Sequence, residues 1–458
     1  MLKIFIYILI SFTLFIFYVT NTLIMEPFMD EIFHFPQAVK YYKGIYKEWD
    51  PKITTPPGLY LLTVGILNPV SKITNLDVDK LACFRLVNIC FTIGTIYVVY
   101  RILQHHHKEN ESRILLLSSF NITIFPVLYF FNFLYYTECG STFFVLLMYY
   151  WHLKKFYFAA SFPGVLALLF RQTNIVWIFY IAAEETLQTL FEFSEESLSK
   201  KDKKLNLFSV SAFRVFIPLW LKNWKQILWK ILKINIGYIP IAVGSVAFVF
   251  YNGSIALGDK AAHEVCVHIP QLFYFLLFFL FFCSPYLISI SKAKQFLKFI
   301  FTEKILVFEL VVFSAFAITY MSHVHPYLLA DNRHYTFYVW RKILGKNIFF
   351  SLALIPLYMY SGYSLINSLQ HKNIIFKIII AFCITVSVIP QKLLEFRYFI
   401  IPYIMLRIHL KTKYSWQPYL EFILYFVFCI CFYFKGCHGK VLKNLLELCG
   451  KSTAFTKY

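Results

Sequence analysis

Residues 4–34 read I-F-I-Y-I-L-I-S-F-T-L-F-I-F-Y-V-T-N-T-L-I-M-E-P-F-M-D-E-I-F-H. The uncharged part, Ile4–Ile24, is long enough to cross a bilayer, which takes about 20 apolar residues. It lacks a cleavage site of small residues and ends directly in Glu26-Pro27, so it reads as an uncleaved first span rather than a signal peptide. The acidic motif that follows, M-D-E-I-F-H, then sits where hydrocarbon meets water. Ionisable groups are expensive to keep there and usually face a cavity or pathway.

The rest of the chain repeats this arrangement. Of 458 residues, 59% are hydrophobic and 15% charged, and the mean hydropathy is +0.62. A soluble fold cannot hide that much apolar surface, whereas many membrane spans require it. Further apolar runs lie at Leu81–Leu103, Ile114–Phe131, Cys139–Leu153, Phe156–Phe170, Ile175–Phe193, Ile227–Phe250, Ile269–Ile290, Ile305–Met321, Asn347–Leu369, Ile374–Ile389, Tyr398–Ile408 and Tyr419–Phe434. The expectation is an all-α polytopic membrane protein of about 12–13 spans, forming one multi-span domain over residues 1–458. No internal repeat is evident.

Charge placement orients the threading. The formal charge is +20, but the lysines crowd connectors rather than one exposed face, which excludes nucleic acid as the expected partner. By the positive-inside rule, His105–Arg113, Lys154–Lys155, the basic loop Ser194–Gln226, Ser291–Lys304, Gln370–Lys372 and Lys411–Lys413 are cytoplasmic. The opposite side then receives residues 25–80, Asn132–Thr137, Arg171–Asn174, Tyr251–His268, Ser322–Lys346 and Pro390–Arg397. The Ser194–Gln226 loop, with Lys200, Lys201, Lys203 and Lys204, reads as a solvated tether. Ten cysteines lie at no metal-like spacing and read as buried thiols. His105-His106-His107 reads as a polar turn, because no carboxylate or thiol accompanies it at ligand spacing.

Five polar clusters share the non-cytoplasmic side: Met25–His34, F-R-Q-T-N (Phe170–Asn174), L-G-D-K-A-A-H (Leu257–His263), H-P-Y-L-L-A-D-N-R-H-Y (His325–Tyr335) and L-E-F-R-Y (Leu394–Tyr398). Five on one face point to a single site. If the first cluster is helical between Pro27 and Pro36, Glu26, Asp30 and His34 share one face, with Glu31 on a neighbouring one. A carboxylate held there can serve as general base towards a hydroxyl. Arg171, Arg333 and Arg397 each sit at a span rim, with His334, His323 and His325 nearby. Arginine's planar fork suits phosphate. Asp331 and Glu395 are placed to orient these arginines. The rigid W-D-P-K-I-T-T-P-P-G segment (Trp49–Gly58) is expected to wall the site. A transporter or channel would also gather charge at a cavity, but would favour the membrane midplane and often carries paired repeats; a channel-regulating protein would need no intact Asp30.

Taken together, M-D-E-I-F-H-F-P-Q-A, W-D-P-K-I-T-T-P-P-G-L-Y, F-R-Q-T-N-I-V-W, G-D-K-A-A-H and H-P-Y-L-L-A-D-N-R-H-Y-T-F-Y-V-W-R resemble the dolichyl-phosphate-glucose-dependent alpha-1,2-glucosyltransferase family. The motifs run from Met25 to about Pro402, and the departures, the basic insert at Lys200–Lys204 and the lysine-rich tail, lie away from them. The resemblance implies a C-type glycosyltransferase fold in the endoplasmic-reticulum membrane, with the active site lumenal. It implies dolichyl phosphate glucose as donor and a diglucosylated, diphosphodolichol-linked oligosaccharide as acceptor. It further implies inversion in one displacement. None of the five clusters assembles a metal site, and a lipid monophosphate can leave with arginine assistance, so no cofactor or obligatory metal is expected. On this reading Asp30 is the base, with Glu31 second and Asp259 next. Arg333 and Arg397 hold the donor phosphate with Arg171 and His334 in support. His34, Asp259, His263, Asp331, Asn332 and Glu395 position substrate.

Overall fold

The computed structural model describes residues 2–75, 78–197, 210–260, 264–330 and 335–429, and no β-strand occurs among them. In chain order the helices of the first half are α1 (Leu2–Leu23), α2 (Glu31–Tyr42), α3 (Gly58–Thr74), α4 (Leu81–His106), α5 (Ser112–Thr123), α6 (Pro126–Phe131), α7 (Thr137–Leu153), α8 (Tyr157–Phe170) and α9 (Ile175–Ser197). α7 packs between α4 and α8, α2 lies against α3, and α9 packs on the later helix Ile374–Val388. A second group forms where Pro270–Phe282 packs on Ile355–Ser368. The protein is all-α and polytopic.

Three uninterrupted stretches among the described residues are long and apolar enough to span a membrane: Ile6–Leu23, Leu81–His106 and Ile348–Ser368. The other expected spans are shorter helices, broken ones or, in α9, a continuous helix of 23 residues that carries Glu184, Glu185 and Glu192. The run expected at Ile114–Phe131 breaks where Phe125 precedes Pro126 and adopts φ −49, ψ 120. A residue before proline is driven from the helical region by the ring. The run Ile227–Phe250 breaks between Trp224–Asn235 and Tyr238–Asn252, which meet at 70°. At the corner, a Cβ on Gly237 would fall 2.7 Å from Ser161 Oγ, so only glycine permits this approach to α8.

Three expectations are corrected. The acidic motif is not helical from Glu26, because Met29 takes φ 56 and the helix begins only at Glu31. Glu26 therefore stays outside it, and Pro36 sits within the helix rather than ending it. The basic loop is no tether where it is described: α9 extends to Ser197, and a helix from Val210 to Lys222 returns against it. Phe216 is buried, and Trp220 Nε1 donates to Ser194 Oγ at 2.8 Å. Lys200, Lys201, Lys203 and Lys204 lie outside the described residues. Finally, His105 and His106 complete α4, and His107 is buried rather than exposed in a turn.

Candidate active site

Four segments distant in sequence converge at the end of α2. Asp30 caps α2 from outside, and its backbone N–H donates to Tyr136 Oη at 2.6 Å. Tyr136 belongs to the connector before α7, which Asn88 of α4 fixes by donating to the Leu134 and Tyr136 carbonyls at 2.6 and 3.1 Å. Across the site, the segment Leu394–Tyr398 presents Arg397, whose Nη1 donates to Asp30 Oδ2 at 2.8 Å. Arg397 Nε also donates to Glu395, so the guanidinium is held between two carboxylates. Burial opposes that charge, but Glu395 and Asp30 outweigh it and raise the Arg397 pKa well above its ordinary value.

Arg171, at the α8–α9 junction, pairs with the buried Glu138 in the first turn of α7. Both guanidiniums lie over the ring of Tyr398, each 5.6 Å from its centroid. A cavity opens beside them, lined by Glu138, Arg171, Asn174, Trp177, Arg397 and Tyr398, among others. Asn174 is held by Ser141 Oγ and the Ala167 carbonyl, both at 2.7 Å. The four-residue motif Arg171–Asn174 thus divides its labour: Arg171 faces the cavity, Gln172 reaches the Thr54 carbonyl at 2.9 Å, and Asn174 staples the turn.

Asp30 and Glu31, neighbours in sequence, have opposite surroundings. The Asp30 side chain keeps 31% of its exposure, whereas Glu31 keeps none. Arg85 of α4 grips both Glu31 oxygens, from Nε at 2.8 Å and Nη2 at 2.6 Å. Backbone N–H groups of Phe28 and Tyr135 also donate to Glu31. Every lone-pair direction of that carboxylate is directed into the protein, which suits a structural anchor and not proton transfer to a substrate. His34 follows one turn later, buried, with Nδ1 2.6 Å from Tyr60 Oη. Burial lowers its pKa against the pull of Asp30, so the ring is held towards its neutral form.

Asp259 is placed elsewhere. Its backbone N–H donates to the Pro51 carbonyl at 2.9 Å and its carboxylate accepts from Tyr327 Oη at 3.4 Å. A Cβ on the preceding Gly258 would lie 2.4 Å from the Pro51 and Ile53 carbonyl oxygens. The Gly258-Asp259 loop therefore docks on the Trp49–Gly58 segment. Arg333, His334, Asp331, Asn332 and His263 lie outside the described residues.

Sequence reasoning missed Arg85, Tyr136, Glu138 and Tyr398. Arg85 and Glu138 were readable only as lone charges at the edges of apolar runs, a weak but real signal. The two tyrosines carried none, among 33 in the chain.

Residues 24–408 match the model of the DIE2/ALG10 family. A human protein named Dol-P-Glc:Glc(2)Man(9)GlcNAc(2)-PP-Dol alpha-1,2-glucosyltransferase is 39% identical over 424 residues, covering 88% of this chain and 89% of its own. A rat protein of the same name is 39% identical over 402 residues, 84% of each chain. One from Drosophila melanogaster is 35% identical over 405 residues, 86% of each. No solved structure matches. The match covers all four segments that converge on Asp30 and Arg397, and the chain belongs to the DIE2/ALG10 family.

Proposed function

We propose that this protein transfers glucose from dolichyl phosphate glucose to the diglucosylated, diphosphodolichol-linked oligosaccharide, forming the terminal alpha-1,2 linkage with inversion. The observation that carries this reading is a solvent-reachable carboxylate, Asp30, bridged to a cavity-lining arginine, Arg397, in a chain whose relatives bear that enzyme name. The site lies in the endoplasmic-reticulum lumen on this proposal, because lysines crowd the opposite connectors.

In the single displacement, the acceptor 2-hydroxyl oxygen attacks the anomeric carbon of glucose. The bond from that carbon to the phosphate oxygen breaks, its electron pair leaves with dolichyl phosphate, and Asp30 takes the hydroxyl proton. The donor is a phosphodiester with one negative charge, and the departing monoester carries two. Arg397 and Arg171 are positioned to meet the developing charge, and interactions that strengthen in the transition state accelerate the chemical step. Arg333 and His334 join them on sequence grounds. The arginines supply the neutralisation that a divalent cation would otherwise give, so no obligatory metal is proposed. His34, Asp259 and His263 are assigned to the acceptor side, Asp331 and Asn332 to the donor loop, and Glu395 to holding Arg397.

The test is transfer of labelled glucose from dolichyl phosphate glucose to the diglucosylated acceptor by purified protein in liposomes, with and without a chelator. Transfer that survives chelation supports both parts. Absence of transfer from folded protein overturns the reading. A transporter would instead move solute across the same liposomes without forming the linkage.

A further inference from the structure

Two guanidiniums share one small cavity, and like charges in such a place repel. Each has a carboxylate partner, Glu138 for Arg171 and Glu395 with Asp30 for Arg397. Those carboxylates belong to different elements, Glu138 to α7, Asp30 to the start of α2 and Glu395 to the Leu394–Tyr398 segment. What the two arginines have in common is the half-buried ring of Tyr398, 5.6 Å from each guanidinium carbon. An aromatic face carries negative electrostatic potential and attracts guanidinium planes, more strongly as water is excluded. Tyr398 is itself fixed, because it closes the short helical turn Phe396–Phe399 and its N–H donates to the Glu395 carbonyl at 3.1 Å.

We infer that Tyr398 is a positioning residue, whose ring holds Arg171 and Arg397 as a pair aimed into the cavity and so creates a site for a phosphate monoester dianion. This rests on the proposed reaction and deepens it. A pair of cations matches the doubly charged dolichyl phosphate that leaves better than the singly charged donor that enters. The ring should therefore act mainly on the chemical step and on product affinity, and less on donor binding.

The experiment compares Tyr398→Phe and Tyr398→Leu in liposomes, reading kcat, donor KM, acceptor KM and inhibition by dolichyl phosphate. The ring, not the hydroxyl, does the positioning, so Tyr398→Phe should stay within about twofold of the native protein in all four. Loss of ring stacking is worth about tenfold at a desolvated site. Tyr398→Leu should lose about that factor in kcat and in affinity for dolichyl phosphate together, with acceptor KM unchanged. A merely structural role would move acceptor KM or yield and leave product affinity alone. If Tyr398→Leu does not accumulate, Tyr398→Met takes its place. The inference is overturned if the non-aromatic variant keeps native kcat and product inhibition, or if Tyr398→Phe is as impaired as it. Failure of native protein to transfer glucose would instead strike the proposed reaction, and dolichyl phosphate binding by the same variants would still decide the role of the ring.

Discussion

Arg397 Nη1 lies 2.8 Å from Asp30 Oδ2 across 367 residues of chain, with both side chains only partly buried. Because Arg397 also holds Glu395 and borders the cavity, it is shared between the proposed base and the place where a phosphate would sit. On the proposed reaction, a donor phosphate in the cavity would compete with Asp30 for the guanidinium and so free the carboxylate assigned as base.

Asp30→Asn and Glu31→Gln should fail in different ways. Asparagine keeps the size and hydrogen bonding of Asp30 but accepts no proton, and general-base catalysis contributes about 10²–10⁴-fold. Asp30→Asn should accumulate normally and lose at least ~100-fold in turnover. Glu31→Gln leaves the Arg85 guanidinium buried beside a neutral partner, which costs about 3–5 kcal/mol. It should reduce the yield and thermal midpoint of solubilised protein. A well-folded, inactive Glu31→Gln beside an active Asp30→Asn would reverse the assignment.

Removing a charge-assisted hydrogen bond to phosphate typically costs ~1.5–3 kcal/mol. Arg397→Ala should therefore lower kcat/KM for the donor by about one to two orders of magnitude. Arg397→Lys should recover little, since a point charge cannot span Asp30, Glu395 and phosphate as a planar fork does. Glu138→Gln should have a smaller effect of the same kind, by loosening Arg171. Steady-state rates against donor concentration check all three, and native donor dependence in Arg397→Ala removes it from the donor site.

The membrane architecture was legible because crossing hydrocarbon demands length and apolarity, which a chain displays directly. The breaks were less so. Phe125-Pro126 follows a local rule, but the corner at Gly237 depends on Ser161, which touches it only in the fold. The site was legible in its charges and not in their roles. Asp30 and Glu31 differ because Arg85 arrives from α4, 54 residues beyond Glu31, and no spacing announces that meeting. Pairing Glu395 with Arg397 was read from the sequence, as both belong to one five-residue motif, and the ion pair is there in the fold. Tyr398 stands in that same motif, and only its two arginine neighbours give it a role.

His107 gives a pH-dependent stability. Its Nε2 can satisfy the Ile408 carbonyl at 2.9 Å only as a donor, while Nδ1 is buried without a hydrogen-bond partner. Protonation would add a buried donor with nothing to accept it. Burial accordingly lowers the pKa to about 4 from an ordinary 6.5. Between those values the unfolded chain binds more protons, so stability falls as pH drops from 6.5 towards 4. His107→Gln can keep the hydrogen bond and does not titrate. Its thermal midpoint should fall less steeply from pH 7 to 5, by up to about 1.4 kcal/mol per pH unit for one proton. Superimposable pH profiles for the two proteins would exclude His107 as the source.

The helix that carries Glu421, the last among the described residues, is held by a second buried pair, far from the proposed chemistry. Arg407 donates to Glu421 from Nε at 2.6 Å and from Nη2 at 2.7 Å, and neither side chain is more than 1% exposed. Asn121 of α5 and Tyr286 donate to the same carboxylate at 3.0 and 3.1 Å. The pair thus ties together four stretches of chain inside the bundle. Removing one partner strands a charge, so Glu421→Met alone should cost about 3–5 kcal/mol and lower the thermal midpoint sharply. Removing both restores neutrality, and apolar replacement of a whole buried pair is often close to neutral. Arg407→Met combined with Glu421→Met should therefore recover most of the loss, short of the hydrogen bonds that Asn121, Tyr286 and Tyr425 make to Glu421; Asn121 keeps its second acceptor, the Pro418 carbonyl at 2.7 Å. Since the pair touches neither Asp30 nor the cavity, the recovered double variant should also regain glucosyl transfer. A double variant no more stable than the single one would mean that the surrounding polar network, and not the ion pair, holds the segment in place.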